Sequence, residues 1–173
     1  MPARETFCFH GYRLRPVGLP DLSLATEWTK ADPYHCDTTS PSFWIEQERD
    51  CDSYMLEDNI GPIFFFKMQR TSEAHIIEFH IQFPPPEERP SDQSLRNRRV
   101  MTGLVLGLEW IERVLLFSGV KEVFFKSQSP TLIRFCLRRL GFEHDGEFLT
   151  KRIDTPSGKG SRICAEPVHS NSS

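Results

Sequence analysis

Hydrophobic residues follow a helical pattern in the second half of the chain. Leu104, Leu108, Ile111 and Leu115 recur at intervals of four, three and four, which places them on one face of a helix. Gly119 follows as a residue suited to a helix end. The pattern predicts a long amphipathic helix that packs on the core, with the change from loop to helix at residues 98–103.

A second helix is predicted between Ser129 and Gly141. Ser129 is a favourable N-cap, Pro130 suits the first turn, and Gly141 suits the end. Its apolar face is formed by Leu132, Ile133, Cys136, Leu137 and Leu140. Its polar side carries arginines that we expect to be solvated and to add positive charge nearby, namely Arg134, Arg138 and Arg139.

Alternating or continuous apolar residues predict several strands. The run from Ile63 to Phe66 is apolar on both faces, so we expect a central strand that is covered on both sides. Asp21 is predicted to cap a short helix that carries Trp28. The predicted strands are residues 12–16, 53–56, 63–68, 74–83, 120–125 and one or two within 142–153.

The strand at residues 74–83 has two chemically different faces. Ile77, Phe79, Ile81 and Phe83 share the apolar face, whereas Ile76, Glu78, His80 and Gln82 share the other. A row of Glu, His and Gln on a strand otherwise rich in Ile and Phe indicates either a solvated surface or a site.

The order of these elements predicts a single α/β (α+β) domain. We expect a central mixed, mostly antiparallel sheet with helices on both faces. The domain is predicted to span residues 1–153. Residues 154–173 lack apolar periodicity and are predicted to be a disordered C-terminal tail.

Composition narrows the class of protein. The 173 residues are 38% hydrophobic and 26% charged, which is typical of a globular domain. A net charge of -3 gives no overall attraction to nucleic acid or membrane, so we expect neither as a partner. No secretory leader or membrane-spanning run is evident, which predicts a cytoplasmic protein. Five scattered cysteines without a Cys-x-x-Cys pair argue against disulfides and a bound metal.

The segment from Arg98 to Gly103 is the candidate anion site. At a helix start, free backbone N–H groups and the positive end of the helix dipole favour an anion. Arg98 and Arg99 offer forked donors for phosphate, and Gly103 would let a ligand approach the backbone. An ordinary helix start with solvated arginines explains the same residues equally well.

These features together resemble the GNAT-type N-acyltransferases, which use acetyl-CoA. Their phosphate-binding signature is Gln or Arg, two residues, Gly, one residue, and Gly or Ala, and Arg98 and Gly103 stand at its first and last positions. Leu140-Gly141-Phe142 looks like the ending of the family's later helix. Met101 occupies the place of the first motif glycine, and Leu137 that of a tyrosine which protonates the departing thiolate in many members.

The resemblance implies direct transfer of an acetyl group from acetyl-CoA to an amine of a small molecule or protein. Glu78 is the implied catalytic base, with His80 as a second candidate because histidine titrates nearer neutral pH. The implied chain is a monomer or homodimer without a metal. The residues implied to bind the cosubstrate are Ile81, Phe83, Arg98, Arg99, Val100, Met101, Thr102 and Gly103.

Two alternatives to an enzyme remain open at this point. Met101 and Leu137 favour a catalytically degenerate protein that keeps the fold, and a CoA or phosphate site, for binding or interaction. The arginines alone would also suit a phosphate or nucleic-acid binder, which the net charge and the lack of interleaved aromatic residues disfavour.

Overall fold

The structure, a computed structural model, describes residues 5–32, 37, 39–85 and 91–153. The predicted disordered tail at residues 154–173 lies outside them, so that prediction stays untested. Short 3₁₀ helices at Leu19–Asp21 and Pro41–Trp44 accompany the main elements. Those elements are β1 (Phe7–Phe9), β2 (Tyr12–Pro16), α1 (Leu22–Ala31), β3 (Cys51–Glu57), β4 (Pro62–Arg70), β5 (Ile76–Gln82), α2 (Gln93–Phe117), β6 (Glu122–Phe125), α3 (Pro130–Phe135, continued by a π-helical segment Cys136–Leu140), β7 (Glu143–Asp145) and β8 (Phe148–Arg152).

The strands of the described residues form one sheet in the order β1-β2-β3-β4-β5-β6-β8-β7. Each neighbouring pair is antiparallel except β5 with β6, which are parallel because α2 carries the chain back between them. The predicted fold class, a mixed and mostly antiparallel sheet within an α/β domain, is confirmed.

One face of the sheet packs against α2 and α3. The buried residues of α2 include Leu104, Ile111 and Leu115, as the helical pattern predicts. They pack with Phe66 and Phe79 of β4 and β5 in the larger hydrophobic cluster. This cluster holds the long helix against the middle of the sheet.

The opposite face is covered by α1 and the 3₁₀ helix Pro41–Trp44. Trp28 of α1 meets the Phe65 ring of β4 edge to face, with ring centroids 5.1 Å apart. Trp44 and Met55 complete this second cluster. Because both faces are covered, Ile63 to Met68 are buried throughout, which confirms the predicted central strand.

The helix α2 begins at Gln93, so the predicted change from loop to helix at residues 98–103 is wrong. The Asp92 side chain accepts hydrogen bonds from the backbone N–H groups of Ser94 and Leu95, at 2.8 and 3.2 Å. An aspartate cap of this kind starts a helix wherever the following residues tolerate it. The segment from Arg98 to Gly103 therefore lies within the helix, beyond its first turn.

Candidate functional site

The parallel strands β5 and β6 pair over a short distance and then separate. They pair only at Ile76 with Glu122, Ile77 with Val123, and Glu78 with Phe124, whereas β5 pairs with β4 as far as Gln82. Beyond Glu78 a cavity of about 600 Å³ lies between β5 and the residues that follow β6. We call this cavity the cleft. Its position implies that a molecule can enter the sheet between two of its strands.

The cleft is lined on one side by β5 and on the other by the approach to α3. Glu78, His80, Ile81 and Phe83 line the β5 side, so four residues predicted for the site share this cavity. The end of α1 contributes Trp28 and Asp32, and the chain after β6 contributes a polar run, residues 126–129. The cleft therefore combines apolar walls with ionisable groups.

Glu78 and His80 are the ionisable pair on β5. They project to the same face, with His80 Nε2 and Glu78 Oε1 3.7 Å apart, and both side chains are half-buried. Burial raises the pKa of the Glu78 carboxyl above its usual value. A carboxylate with a raised pKa is a better proton acceptor near neutral pH than an exposed one.

A buried lysine supports this pair from the neighbouring strand. Lys67 lies opposite His80 in the sheet and is only 1% exposed. Its ammonium donates to the Phe43 carbonyl at 2.7 Å, pairs with Glu46 at 2.8 Å, and lies 3.8 Å from the centre of the Phe43 ring. That ring meets His80 edge to face at 5.0 Å. Lys67 thus fixes the surface on which the imidazole packs, a role that the sequence did not reveal.

A second cavity, of about 590 Å³, lies between the first turns of α2 and the helix α3. We call it the basic cavity. It shares Phe83, Pro84, Ser129 and Leu132 with the cleft, so the two spaces meet. The described residues that line it include five arginines and no acidic residue, the arginines being Arg96, Arg99, Arg134, Arg138 and Arg139.

Three of these arginines have no acidic partner among the described residues. Arg134, Arg138 and Arg139 are exposed on α3 and its π-helical continuation. Unpaired guanidinium groups on one wall of a cavity attract an anion and offer forked hydrogen bonds to phosphate oxygens. The polar side of α3, which the sequence predicts to be solvated and to add positive charge nearby, therefore lines the basic cavity.

Only part of the predicted phosphate-binding segment, residues 98–103, lines the basic cavity. Val100, Met101 and Arg99 line the basic cavity, whereas Arg98 and Thr102 are not among its lining residues. Met101 is 43% exposed. The backbone N–H groups of this segment lie beyond the first four of the helix and serve its internal hydrogen bonds. A backbone cradle at residues 98–103 is therefore absent, while cosubstrate binding by their side chains stays a prediction.

Arg99 is engaged by the protein itself. Its guanidinium forms two hydrogen bonds to the Asp58 carboxylate, both at 2.7 Å, and a third to the Gly61 carbonyl at 2.9 Å. Both charged side chains are 8% exposed. This buried pair ties α2 to the turn between β3 and β4.

Gly103 serves the contact between helix and sheet. A Cβ atom at this position would collide with Leu56 Cδ2 of β3 and approach Tyr12 of β2. The glycine thus lets α2 lie close to the sheet, and it faces the core rather than the basic cavity.

Candidate metal clusters and membrane-spanning helices are both lacking in the parts of the chain that the structure describes. No group of three or more His, Cys, Asp or Glu side chains there is placed to hold a metal ion. No helix there is both long and apolar enough to cross a membrane. Cys136 is buried, and burial raises the pKa of its thiol to about 12, so it behaves as a core residue.

Solved structures with the same fold are N-acetyltransferases. A spermidine N-acetyltransferase from Vibrio cholerae, solved with CoA and spermine, matches with a TM-score of 0.56 and 14% identity over 83% of this chain and 94% of the other. A ribosomal-protein alanine N-acetyltransferase from Escherichia coli matches with a TM-score of 0.59 and 15% identity, over 87% of this chain and 99% of the other. A GCN5-related N-acetyltransferase from Brucella melitensis matches with a TM-score of 0.58 and 14% identity, over 88% of this chain and 80% of the other.

No protein-family model and no curated protein sequence matches the chain. At 14–15% identity the structural matches show the fold alone. The chain has the fold of the GNAT-type N-acetyltransferases, which confirms the resemblance drawn from its sequence.

Proposed function

We propose that this protein is an acyl-CoA-dependent N-acyltransferase that transfers an acetyl group from acetyl-CoA to an amine. The observation that carries the proposal is the junction of two cavities. An arginine-lined cavity, suited to phosphates, meets a cleft between separated strands that holds a carboxylate and an imidazole. A molecule with phosphates at one end and a reactive thioester at the other fits such a pair of spaces.

The phosphates of CoA would be held by side chains rather than by helix amides. Asp92 already occupies the N–H groups of Ser94 and Leu95, so the start of α2 carries its own anion. Arg134 and Arg138 are the best-placed donors, because they line the basic cavity and have no acidic partner among the described residues. Arg98 and Met101 remain proposed contacts of the same cosubstrate.

The thioester arm would pass Phe83 and Ile81 into the cleft, which brings its carbonyl carbon near Glu78 and His80. The acceptor nitrogen attacks that carbon, the new C–N bond forms, and the C–S bond breaks. The proton lost by the nitrogen goes to Glu78 or His80. The thiolate leaves with the electrons of the C–S bond and takes a proton from water, since Leu137 stands where a tyrosine would act.

The acceptor is an amine, and its approach is favoured by negative charge. Asp32 and Glu78 line the cleft, and carboxylates attract an ammonium group before it loses its proton. Two of the similar structures are named for spermidine and for a ribosomal-protein alanine, so both a small polyamine and a protein amine belong in the acceptor panel. We place the activity in the cytoplasm, as the scattered cysteines suggest.

Cosubstrate binding is tested by calorimetry with CoA. The double variant Arg134→Ala/Arg138→Ala should bind CoA at least tenfold more weakly, because each charge-assisted hydrogen bond contributes about 1.5–3 kcal/mol. Arg113→Ala is the matched control, since Arg113 is exposed on α2 outside both cavities. No binding of CoA by the wild type at millimolar concentration would refute the proposal.

Catalysis is tested by thiol release from acetyl-CoA over a panel of amines. Removing a general base lowers the rate by about a hundred- to ten-thousandfold, so Glu78→Gln or His80→Gln should fall by that factor while CoA affinity is kept. Equal turnover in both variants and the wild type would disprove the assignment of the base.

A binding protein without catalysis is the second candidate. It is favoured by Leu137 and by the capped start of α2, both of which depart from the arrangement that the resemblance implies. CoA binding without thiol release from any amine would establish this candidate in place of the enzyme.

A further inference from the structure

A third cavity, small and apolar, lies between α2 and the sheet, in addition to the cleft and the basic cavity. Its volume is about 40 Å³, and every residue that lines it is apolar. The lining includes Phe79 and Ile81 of β5, Gly107 and Leu108 of α2, Phe125 of β6 and Cys136. We call it the inner cavity. Its walls offer no hydrogen bond to water, so it suits hydrocarbon.

The inner cavity adjoins the cleft at the point where the strands separate. Phe79, Ile81 and Phe125 line both spaces. Phe79 and Phe125 come directly after Glu78 and Phe124, the last residues that pair β5 with β6. A group held at this end of the cleft therefore has apolar space beside it, on the α2 side of the sheet.

Gly107 leaves this space open, although the packing of the fold does not require a glycine at this position. A Cβ atom added there would meet nothing within 4 Å, in contrast to Gly103, four residues earlier, whose Cβ would strike Leu56. Glycine within a helix is less stable than alanine by about 0.5–1 kcal/mol. Packing thus explains Gly103 but does not explain Gly107.

We propose that the inner cavity receives the hydrocarbon end of the transferred acyl group, so that the protein prefers acyl donors one or two methylenes longer than acetyl. This inference rests on the proposed function. A cavity of this kind needs only about 10–15 Å³ to hold one water, so about 40 Å³ admits a short alkyl end of a few carbon atoms but not a long chain.

Transfer of a longer acyl group breaks and forms the same bonds as acetyl transfer. The C–S bond of the thioester breaks and the C–N bond of the amide forms, and only the alkyl group on the carbonyl carbon is longer. Each methylene buried in the transition state is expected to raise kcat/KM about fourfold, which corresponds to about 0.8 kcal/mol. Propionyl-CoA should exceed acetyl-CoA by about that factor, and octanoyl-CoA should fall below both.

The test compares acetyl-, propionyl-, butyryl- and octanoyl-CoA in the thiol-release assay, with the same amine throughout. Gly107→Ala places a methyl group in the inner cavity, so it should lower transfer from propionyl- and butyryl-CoA more than transfer from acetyl-CoA and thereby abolish the preference for the longer donors. The same variant should melt at a higher temperature, because alanine favours the helix and fills space. Glu109→Ala, at an exposed position on α2, is the control and should keep the donor preference.

Each outcome separates this inference from the proposed function. Acetyl transfer that is equal to or faster than propionyl transfer overturns the inference and leaves the acyltransferase standing. A donor preference that survives in Gly107→Ala also overturns it. If CoA binds but no donor releases thiol, calorimetry is used to compare the affinities of propionyl-CoA and acetyl-CoA. Equal affinities then refute the assignment of the inner cavity as the acyl site. If no CoA binds, both proposals fail.

Discussion

Replacing Arg99 with methionine should destabilise the protein strongly. The change removes three hydrogen bonds from the guanidinium and leaves the Asp58 carboxylate buried without its charge partner. Breaking a buried ion pair in this way typically costs about 3–5 kcal/mol. Asp58 keeps hydrogen bonds from the Ile60 and Gly61 amides at 2.9 and 3.2 Å, so we expect a loss near the lower end, about 3 kcal/mol.

The loss should depend on pH in a defined direction. Burial alone would raise the pKa of Asp58, but hydrogen bonds from Arg99 and from two backbone amides outweigh it and lower the pKa below its usual value. A lowered pKa in the folded state contributes stability above the unfolded pKa, and this contribution is lost as pH falls. Arg99→Met should therefore cost more at pH 7 than at pH 3.5.

Urea unfolding at both pH values measures this effect. A loss of about 3 kcal/mol corresponds to a fall in Tm of roughly 6–12 °C for a chain of this size. The double variant Asp58→Asn/Arg99→Met should recover part of the loss, because no charge then stays buried alone. Arg113→Ala should change stability by less than about 0.5 kcal/mol.

A loss below about 1 kcal/mol for Arg99→Met, or an equal loss at both pH values, would refute the structural role of the pair. The folded variant should also bind CoA nearly as the wild type does, since Asp58 already engages this guanidinium. Weakened CoA binding without a loss of stability would instead assign Arg99 to the cosubstrate, as the sequence predicts.

Two further variants probe the polar face of β5. Because burial raises the pKa of Glu78, its contribution to stability is present at low pH and is lost as pH rises through the folded pKa; Glu78→Gln should therefore raise Tm at pH 7 and change it little at pH 3.5. Lys67→Met removes the donor to the Phe43 carbonyl, and urea unfolding should show a loss of about 1–3 kcal/mol, whereas Arg49→Met, at an exposed position, should show almost none. An unchanged Tm in Glu78→Gln at pH 7, or an unchanged midpoint in Lys67→Met, would contradict these expectations.

Most of the fold could be predicted because its elements carry strong local signals. The buried positions of α2 follow helical spacing, and Ser129 caps α3 by accepting from the Leu132 amide. Gly141 adopts the left-handed conformation expected at a helix end, with φ of 72°. Sequence reasoning places the start of α2 too late because it follows the arginines at residues 98–103, although Asp92 is a sufficient cap.

The first strand was missed because its signal is short. Phe7–Phe9 has only three residues and pairs with β2 through a turn in which His10 and Gly11 both have positive φ. A glycine that can adopt positive φ, placed between alternating apolar positions, is a hairpin signal, and Gly11 provides it here.

Contacts between distant residues explain what sequence reasoning could not supply at the site. Glu78, His80, Ile81 and Phe83 line one cavity although the alternation of the strand puts them on two faces, because the pairing of β5 with β6 ends at Glu78. The partner of Arg99, however, lies 41 positions away, and a sequence does not show which arginine a distant aspartate will hold. Lys67 lay within an apolar strand, and its partners come from a segment without a clear pattern.

The short parallel pairing of β5 with β6 has a consequence for how the molecule holds together. Strands β1 to β5 follow one another in the sheet as they do in the sequence, and β6, β8 and β7 form a second group whose members also lie close in sequence, so each group can form from nearby contacts. In the part of the sheet that the structure describes, three residue pairs join the two groups. A ligand that touches both walls of the cleft would cross-link these groups and stabilise the native state by mass action. Binding of the ligand would then reversibly connect the two groups of strands within one sheet.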